Sequence, residues 1–177
     1  MSVNVLALIV GLAAVFLFLL SYQFSKRRHI IICNVVSRIL YVLQYLLLFA
    51  IEGAAMDISA IPSSVLAARK HTPFVQKHRL AILVCVNAFV LGIGMLVSRN
   101  WLGWIPVVGV LFETNALWLT RERNIRLLTL VAQPCWLFYN VRCGAFGGAL
   151  GNLLTMASIL MAMYRYDRPV SAGGDGK

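Results

Sequence analysis

The chain has 177 residues, of which 60 % are hydrophobic and only 12 % are charged. Soluble domains carry about 25 % charged residues, so this composition excludes a soluble globular protein and predicts a single membrane domain. The formal net charge is +10, but the cations lie between apolar runs, which favours a role in membrane orientation over nucleic-acid binding. The lipid bilayer is therefore an expected partner, and nucleic acid is not.

Seven apolar runs follow one another along the chain, and each predicts a transmembrane helix. They cover residues 3–21, 30–51, 53–68, 80–97, 101–119, 125–141 and 145–164. A tight turn is predicted at Glu52-Gly53, and the polar stretch 69–79 forms the longest break. The Gly-rich tail, residues 167–177, is expected to be disordered and cytoplasmic. Because the third run is short, six spans are an open alternative to seven.

The basic residues are distributed unevenly over the loops of a seven-helix plan. Of the 16 Lys and Arg residues, 13 fall on the side that receives the loops after the first, third and fifth runs and the tail. Only Arg99 and Arg142 fall on the other side, and Arg38 lies inside the second run. Since positively charged loops remain in the cytoplasm, we expect the N-terminus outside and the C-terminus in the cytoplasm.

The chain also contains an internal repeat at an offset of 95 positions. Residues 10–70 align without gaps onto residues 105–165, and helix ends, basic clusters and polar positions coincide although identity is low. An odd number of helices per unit, with one linking helix between the units, makes the units parallel about an axis along the membrane normal. The predicted fold is therefore an all-α bundle of seven transmembrane helices in a three-one-three plan.

This plan divides the chain as follows. A single transmembrane domain covers residues 1–166. Within it, the first repeat is 3–70, the linker helix is 80–97 and the second repeat is 101–165.

Polar and aromatic residues inside the apolar runs are the candidates for a binding site. The repeat pairs Asp57 with Asn152 and Tyr41 with Trp136. Polar side chains are costly in lipid and tend to line pathways, although interhelical hydrogen bonds that only hold the bundle together are the alternative. Thr155 follows Asn152 by three positions, so the two side chains lie on the same helix face. The two aromatic rings either stack on a solute or fill space.

Two further charged residues, Arg38 and Glu113, lie within the runs. An ion pair between Arg38 and either Asp57 or Glu113 would neutralise these charges. Such a pair is either structural or couples proton movement. Without it, we expect Asp57 to accept a proton near neutral pH.

No metal site, cofactor or enzyme active site is predicted. The four cysteines include no C-x-x-C pair and have no metal-like spacing with the three histidines, which makes a metal site or a disulfide framework improbable. The chain contains no H-E-x-x-H or G-x-S-x-G motif, and these motifs mark common hydrolases.

Three motifs carry a resemblance to known membrane proteins. They are S-x-Q-x-x-K-R-R from Ser21, Y-L-L-L-x-x-x-x-G from Tyr45 and W-L-x-Y-N from Trp136. Over most of residues 8–166 the chain resembles the YgjV-type bacterial inner-membrane proteins. Its three-one-three plan is similar to that of the SWEET and PQ-loop clan of small-solute transporters, although the Pro-Gln dipeptide of the PQ-loop group is absent.

The resemblance to SWEET-like transporters implies a shared cavity that is lined by an aromatic residue and an amide from each unit. The matching positions here are Tyr41 and Trp136, with Asp57 and Asn152. Asp57 stands where an amide is typical, which argues against a neutral sugar and admits a cation or a proton.

The function that the resemblance implies is a small-solute carrier or facilitator of the bacterial inner membrane. It would need no cofactor and would not be an enzyme, and a homo-oligomer is an open alternative to a monomer. The competing interpretation is a receptor or assembly protein that keeps a transporter-like fold without transporting.

Overall fold

The computed structural model describes residues 2–21 and 27–166, and this part of the chain is helical without any β-strand. The prediction of an all-α fold is confirmed. The described elements, in chain order, are α1 (Val3–Ser21), α2 (Arg27–Leu47), α3 (Ile51–Ala68), α4 (Pro73–Lys77), α5 (Arg79–Val97), a 3-10 turn (Trp101–Gly103), α6 (Trp104–Ala116), α7 (Glu122–Cys143) and α8 (Phe146–Tyr166).

A helix of at least 13 residues lies at each of the seven predicted runs. By length and composition, α1, α5 and α8 can each cross a membrane, and α2 contains a shorter apolar segment, Val35–Leu47. The remaining helices are shorter or more polar: α6 has 13 residues, α3 contains Asp57, and α7 begins with a charged turn. The seven-span, three-one-three arrangement therefore stays a prediction. The predicted disordered tail lies outside the described residues.

Six of the helices form a closed ring. Helix α1 packs on α2, α2 on α3, α3 on α6, α6 on α7, α7 on α8, and α8 packs back on α1. Helix α5 lies outside this ring against α3 and α6. Reciprocal amide hydrogen bonds of 2.8 and 3.2 Å between Asn87 and Asn115 join α5 to α6, and such contacts hold helices together where water is absent.

The turn between α2 and α3 lies at residues 48–50, so the prediction of a turn at Glu52-Gly53 was wrong. Phe49 takes a positive φ of 56°, and Glu52 instead lies in the first turn of α3, where the helix dipole favours an acidic side chain. Gly53 is explained by packing, since a Cβ there would lie 2.7 Å from the Tyr139 ring.

The turn between α7 and α8 has the same backbone pattern. Gly144 takes a φ of 77°, and it lies 95 positions after Phe49, the only other described residue with a positive φ. The N–H of Ala50 donates to the carbonyl of Tyr45 at 2.9 Å, and the N–H of Ala145 donates to the carbonyl of Asn140 at 2.8 Å. The two turns thus share a positive φ and a closing hydrogen bond at positions that lie 95 residues apart.

The two ends of the ring differ in composition. We call the end that holds the turns 48–50 and 144–145 the hairpin end, and the opposite end, with residues 69–79 and 117–121, the basic end. At the basic end, Lys70 donates to two carbonyls of the segment after α6, and Arg79 donates to the carbonyl of Trp118. Cations there complement the negative end of the α6 dipole.

Helices α7 and α8 pack most tightly toward the hairpin end. The buried residues of α8 all lie within its first six positions, and those of α7 all lie from Ala132 onward. Small residues also allow α8 to approach α1 closely, because a Cβ on Gly147 would lie 2.6 Å from the carbonyl carbon of Gly11. The backbones of α1 and α8 therefore touch directly, as small-residue helix contacts in membranes do.

The substitution Gly147→Ala should therefore separate α1 from α8 and destabilise the protein, by about 1–3 kcal/mol as overpacking usually does. Gly92→Ala on α5 is the matched control, because a Cβ at Gly92 meets nothing within 4 Å. Thermal unfolding of the purified protein should show a lower midpoint for the first variant only. Equal midpoints for both variants would contradict the close α1–α8 contact.

Candidate functional site

The ring encloses a central cavity of about 80 Å³. All seven residues that the sequence predicted for a site or an ion pair line this cavity: Arg38, Tyr41, Asp57, Glu113, Trp136, Asn152 and Thr155. One water needs about 15 Å³ by this measure, so the cavity has room for about five waters. A solute of a few non-hydrogen atoms fits this conformation, and a hexose does not.

One wall of the cavity is charged. The guanidinium of Arg38 donates from Nη1 to Oδ1 of Asp57 at 2.9 Å, and its Nη2 lies 3.8 Å from Oε2 of Glu113. The side chains of Asp57 and Glu113 are only 8 % and 18 % exposed. Because an unpaired buried charge is strongly destabilising, Arg38 is the residue that allows both carboxylates to lie here.

The facing wall is neutral and has the same layout. Nδ2 of Asn152 donates to Oε1 of Gln133 at 2.8 Å. Gln133 lies 95 positions after Arg38, and Asn152 lies 95 positions after Asp57. The α7–α8 contact therefore repeats the α2–α3 contact with an amide pair in place of an ion pair.

A chain of hydrogen bonds, which we call the polar relay, crosses the cavity. Tyr45 donates to Asn140 at 2.7 Å, Asn140 donates to Asn152 at 2.7 Å, and Asn152 donates to Gln133. Gln133 in turn donates from Nε2 to Oε1 of Glu113 at 3.1 Å. Every bond of the relay points in the same direction, from the Tyr45 hydroxyl to the Glu113 carboxylate.

The carboxylate of Glu113 sets this direction. An ionised carboxylate can only accept hydrogen bonds, so Gln133 must turn its NH₂ group toward Glu113 and its carbonyl toward Asn152. The same requirement then orients Asn152 and Asn140, and it leaves the Tyr45 hydroxyl as the first donor. The amide orientations are therefore a consequence of the charge at one end.

Three aromatic rings close the cavity toward the hairpin end. Tyr45 stacks on Trp136 with 6.2 Å between ring centroids, and Tyr139 lies edge-on to both rings at 6.1 and 6.4 Å. Tyr45 and Trp136 line the central cavity, whereas Tyr139 lines a second cavity of about 230 Å³ at the hairpin end, together with Glu52 and Arg142. We call these three rings the aromatic plug, because they separate the two cavities.

The lining residues of the central cavity fall into pairs at the offset of the predicted repeat. Ten of the fourteen form five such pairs, namely Phe18 with Glu113, Arg38 with Gln133, Tyr41 with Trp136, Tyr45 with Asn140, and Asp57 with Asn152. Among the described residues, no group of three His, Cys, Asp or Glu side chains could hold a metal ion.

Residues 5–169 match the model of a protein family, Imp-YgjV, that is described as a bacterial inner membrane protein. The chain belongs to the YgjV family. The predicted resemblance to YgjV-type proteins is thereby confirmed, together with a multi-pass location in the inner membrane and the lipid bilayer as partner. No curated protein and no solved structure matches the chain. The resemblance to the SWEET and PQ-loop clan and the orientation of the termini stay predictions.

Three members of the polar relay, which also line the cavity of this YgjV-family protein, were missed by the sequence prediction. They are Tyr45, Gln133 and Asn140, which supply most of the polar relay. The sequence does point to Gln133, because this residue lies 95 positions after Arg38, at the offset of the predicted repeat. Tyr45 and Asn140 also lie 95 positions apart, but they are chemically unlike, so the offset alone does not mark them as a pair.

The substitution Arg38→Gln should strongly destabilise the protein, by about 3–5 kcal/mol, because it leaves two buried carboxylates without a cation. Adding Asp57→Asn should recover part of this loss, since the double variant reproduces the Gln133–Asn152 pair of the facing wall and leaves only Glu113 of the two carboxylates without a cation. A double-mutant cycle of unfolding free energies measures the coupling. Additive effects of the two substitutions would show that the ion pair does not hold α2 to α3.

Proposed function

We propose that this YgjV-family protein carries a small solute across the inner membrane through the central cavity. The observation that supports the proposal most is the polar relay and ion pair arranged around an internal cavity within a ring of apolar helices. Polar side chains inside a membrane are expensive and tend to line pathways. Interhelical hydrogen bonds alone would be satisfied without a cavity between them.

The proposal includes two parallel three-helix units, α1–α3 and α6–α8, which are joined by α5. The matched turns and the five lining pairs support this plan. Its further support is the 2.7 Å contact between Tyr45 and Asn140, because two equivalent residues can touch each other only beside the axis that relates their units. Solute sites in transporters with such repeats lie at the repeat interface, which is the position of the cavity.

In this proposal the described conformation is closed at the hairpin end and open toward the basic end. If the predicted orientation holds, the basic end faces the cytoplasm and the cavity faces inward. Outward opening must separate Tyr45 from Asn140 and take apart the aromatic plug. One hydrogen bond and three ring contacts cost about 2–6 kcal/mol together, and the lower part of this range suits two interconverting conformations.

A comparison of strains tests the function. Cells that overproduce the protein should differ from a deletion strain in the uptake or efflux of at least one small metabolite. Asn152→Ala should reduce this flux roughly tenfold or more, because a lost buried hydrogen-bond partner typically costs 1–3 kcal/mol. Ser158→Ala, an exposed position on the same helix, is the matched control and should transport as the unsubstituted protein does.

Equal metabolite levels in both strains, with protein inserted in the membrane, would contradict a carrier. That result would favour the receptor or assembly protein, which keeps the fold without a flux.

A further inference from the structure

The charges that line the central cavity do not balance. Among the described residues the lining contains one guanidinium, Arg38, and two carboxylates, Asp57 and Glu113, so their formal charges sum to −1. Arg38 lies 2.9 Å from Asp57 but 3.8 Å from Glu113, which is longer than a hydrogen bond. The uncompensated charge therefore lies mainly at Glu113.

Among the residues that the structure describes, the lining of the cavity around Glu113 contains no cation other than Arg38. Helix α2 contributes Arg38, α3 contributes Asp57, and α7 contributes the amide of Gln133. On α5, the described polar contact to α6 is the neutral pair of Asn87 with Asn115. A carboxylate in this position calls for either a proton or a cation from outside the chain, since uncompensated charge in the membrane interior is costly.

We infer that the solute of the central cavity is a small monovalent cation of the ammonium or guanidinium class, held at the carboxylate of Glu113. The inference rests on the proposed function and names its substrate class. Gln133 fills one of the lone-pair positions of this carboxylate, and Arg38 and Trp136 also approach it with donor groups, whereas an ionised carboxylate has about four such positions. Acceptor positions therefore remain for the N–H groups of a solute.

The space and the surrounding rings suit such a cation. A guanidinium ion has four non-hydrogen atoms, and the cavity of about 80 Å³ has room for about five waters. The rings of Tyr41 and Trp136 line the same cavity as Glu113, and aromatic faces attract cations. The carbonyl oxygens of Asn140 and Asn152 each accept one relay bond, and a second lone pair on each can accept from the solute.

Guanidinium and urea form a matched pair of probes, because they are alike in size and shape and differ by one charge. The full-length protein in proteoliposomes, without a membrane potential, should exchange labelled guanidinium in preference to urea by roughly tenfold or more. Glu113→Gln should reduce this ratio to near one. Glu122→Gln, at a position with an 82 % exposed side chain on α7, is the control and should keep the ratio.

Two further variants test whether the negative charge that selects guanidinium over urea lies on Glu113. Arg38→Gln combined with Asp57→Asn removes the ion pair and leaves the net charge at −1 on Glu113, so its guanidinium-to-urea ratio should stay high. Glu113→Asp keeps the charge on a shorter side chain, so it should keep the preference with weaker binding. This variant also separates loss of charge from loss of folding, which size-exclusion profiles check for each protein.

Three outcomes would overturn the inference: equal exchange of the two probes by the unsubstituted protein, a preference that survives in Glu113→Gln, or a change confined to the pH dependence of exchange. The last result would mean that Glu113 takes only a proton. If urea moves and its exchange requires Asn152, the carrier function stands while the inference fails. If guanidinium binds through Glu113 in equilibrium dialysis but does not exchange, the cation site stands while the carrier function fails.

Discussion

Polar groups inside the helix ring must find their hydrogen-bond partners within the protein, because the membrane interior supplies no water. The polar relay meets this constraint with one continuous series of donors from Tyr45 to Glu113. Since the carboxylate only accepts, its charge orients every amide of the relay. The contact that closes the hairpin end, Tyr45 with Asn140, is thus physically connected to the charged wall of the cavity. A change in the charge of Glu113 therefore acts on the same hydrogen bonds that close the hairpin end.

The two walls of the cavity hold their helices together with different chemistry. Arg38 with Asp57 joins α2 to α3 at 2.9 Å, and Gln133 with Asn152 joins α7 to α8 at 2.8 Å. A buried ion pair is often no more stabilising than a neutral replacement. Helix packing alone therefore gives no reason for charge on one wall, because the facing wall holds its helices together without it. Recognition of a charged solute does give such a reason.

The sequence predicted the helices and seven cavity residues, because charged and amide side chains stand out in apolar runs and an offset of 95 pairs several of them. The relay was not predictable in this way. Tyr45 and Asn140 are unlike residues, and only their shared position beside the proposed axis makes them partners. The first turn was predicted at Glu52-Gly53 because glycine favours turns. Gly53 is instead required because the Tyr139 ring approaches it from another helix. Contacts between residues 86 and 95 positions apart leave no local signature.

An exchange of the two walls tests most directly whether the units are equivalent halves around one cavity. The variant that combines Arg38→Gln, Asp57→Asn, Gln133→Arg and Asn152→Asp moves the ion pair to the facing wall. In this variant the side chain at position 152 still accepts from Asn140, and the side chain at position 133 still donates to Glu113. We expect a thermal unfolding midpoint close to that of the unsubstituted protein, with a clearly lower midpoint for Gln133→Arg or Asn152→Asp alone. A fourfold variant that is less stable than these single variants would contradict the equivalence of the two units.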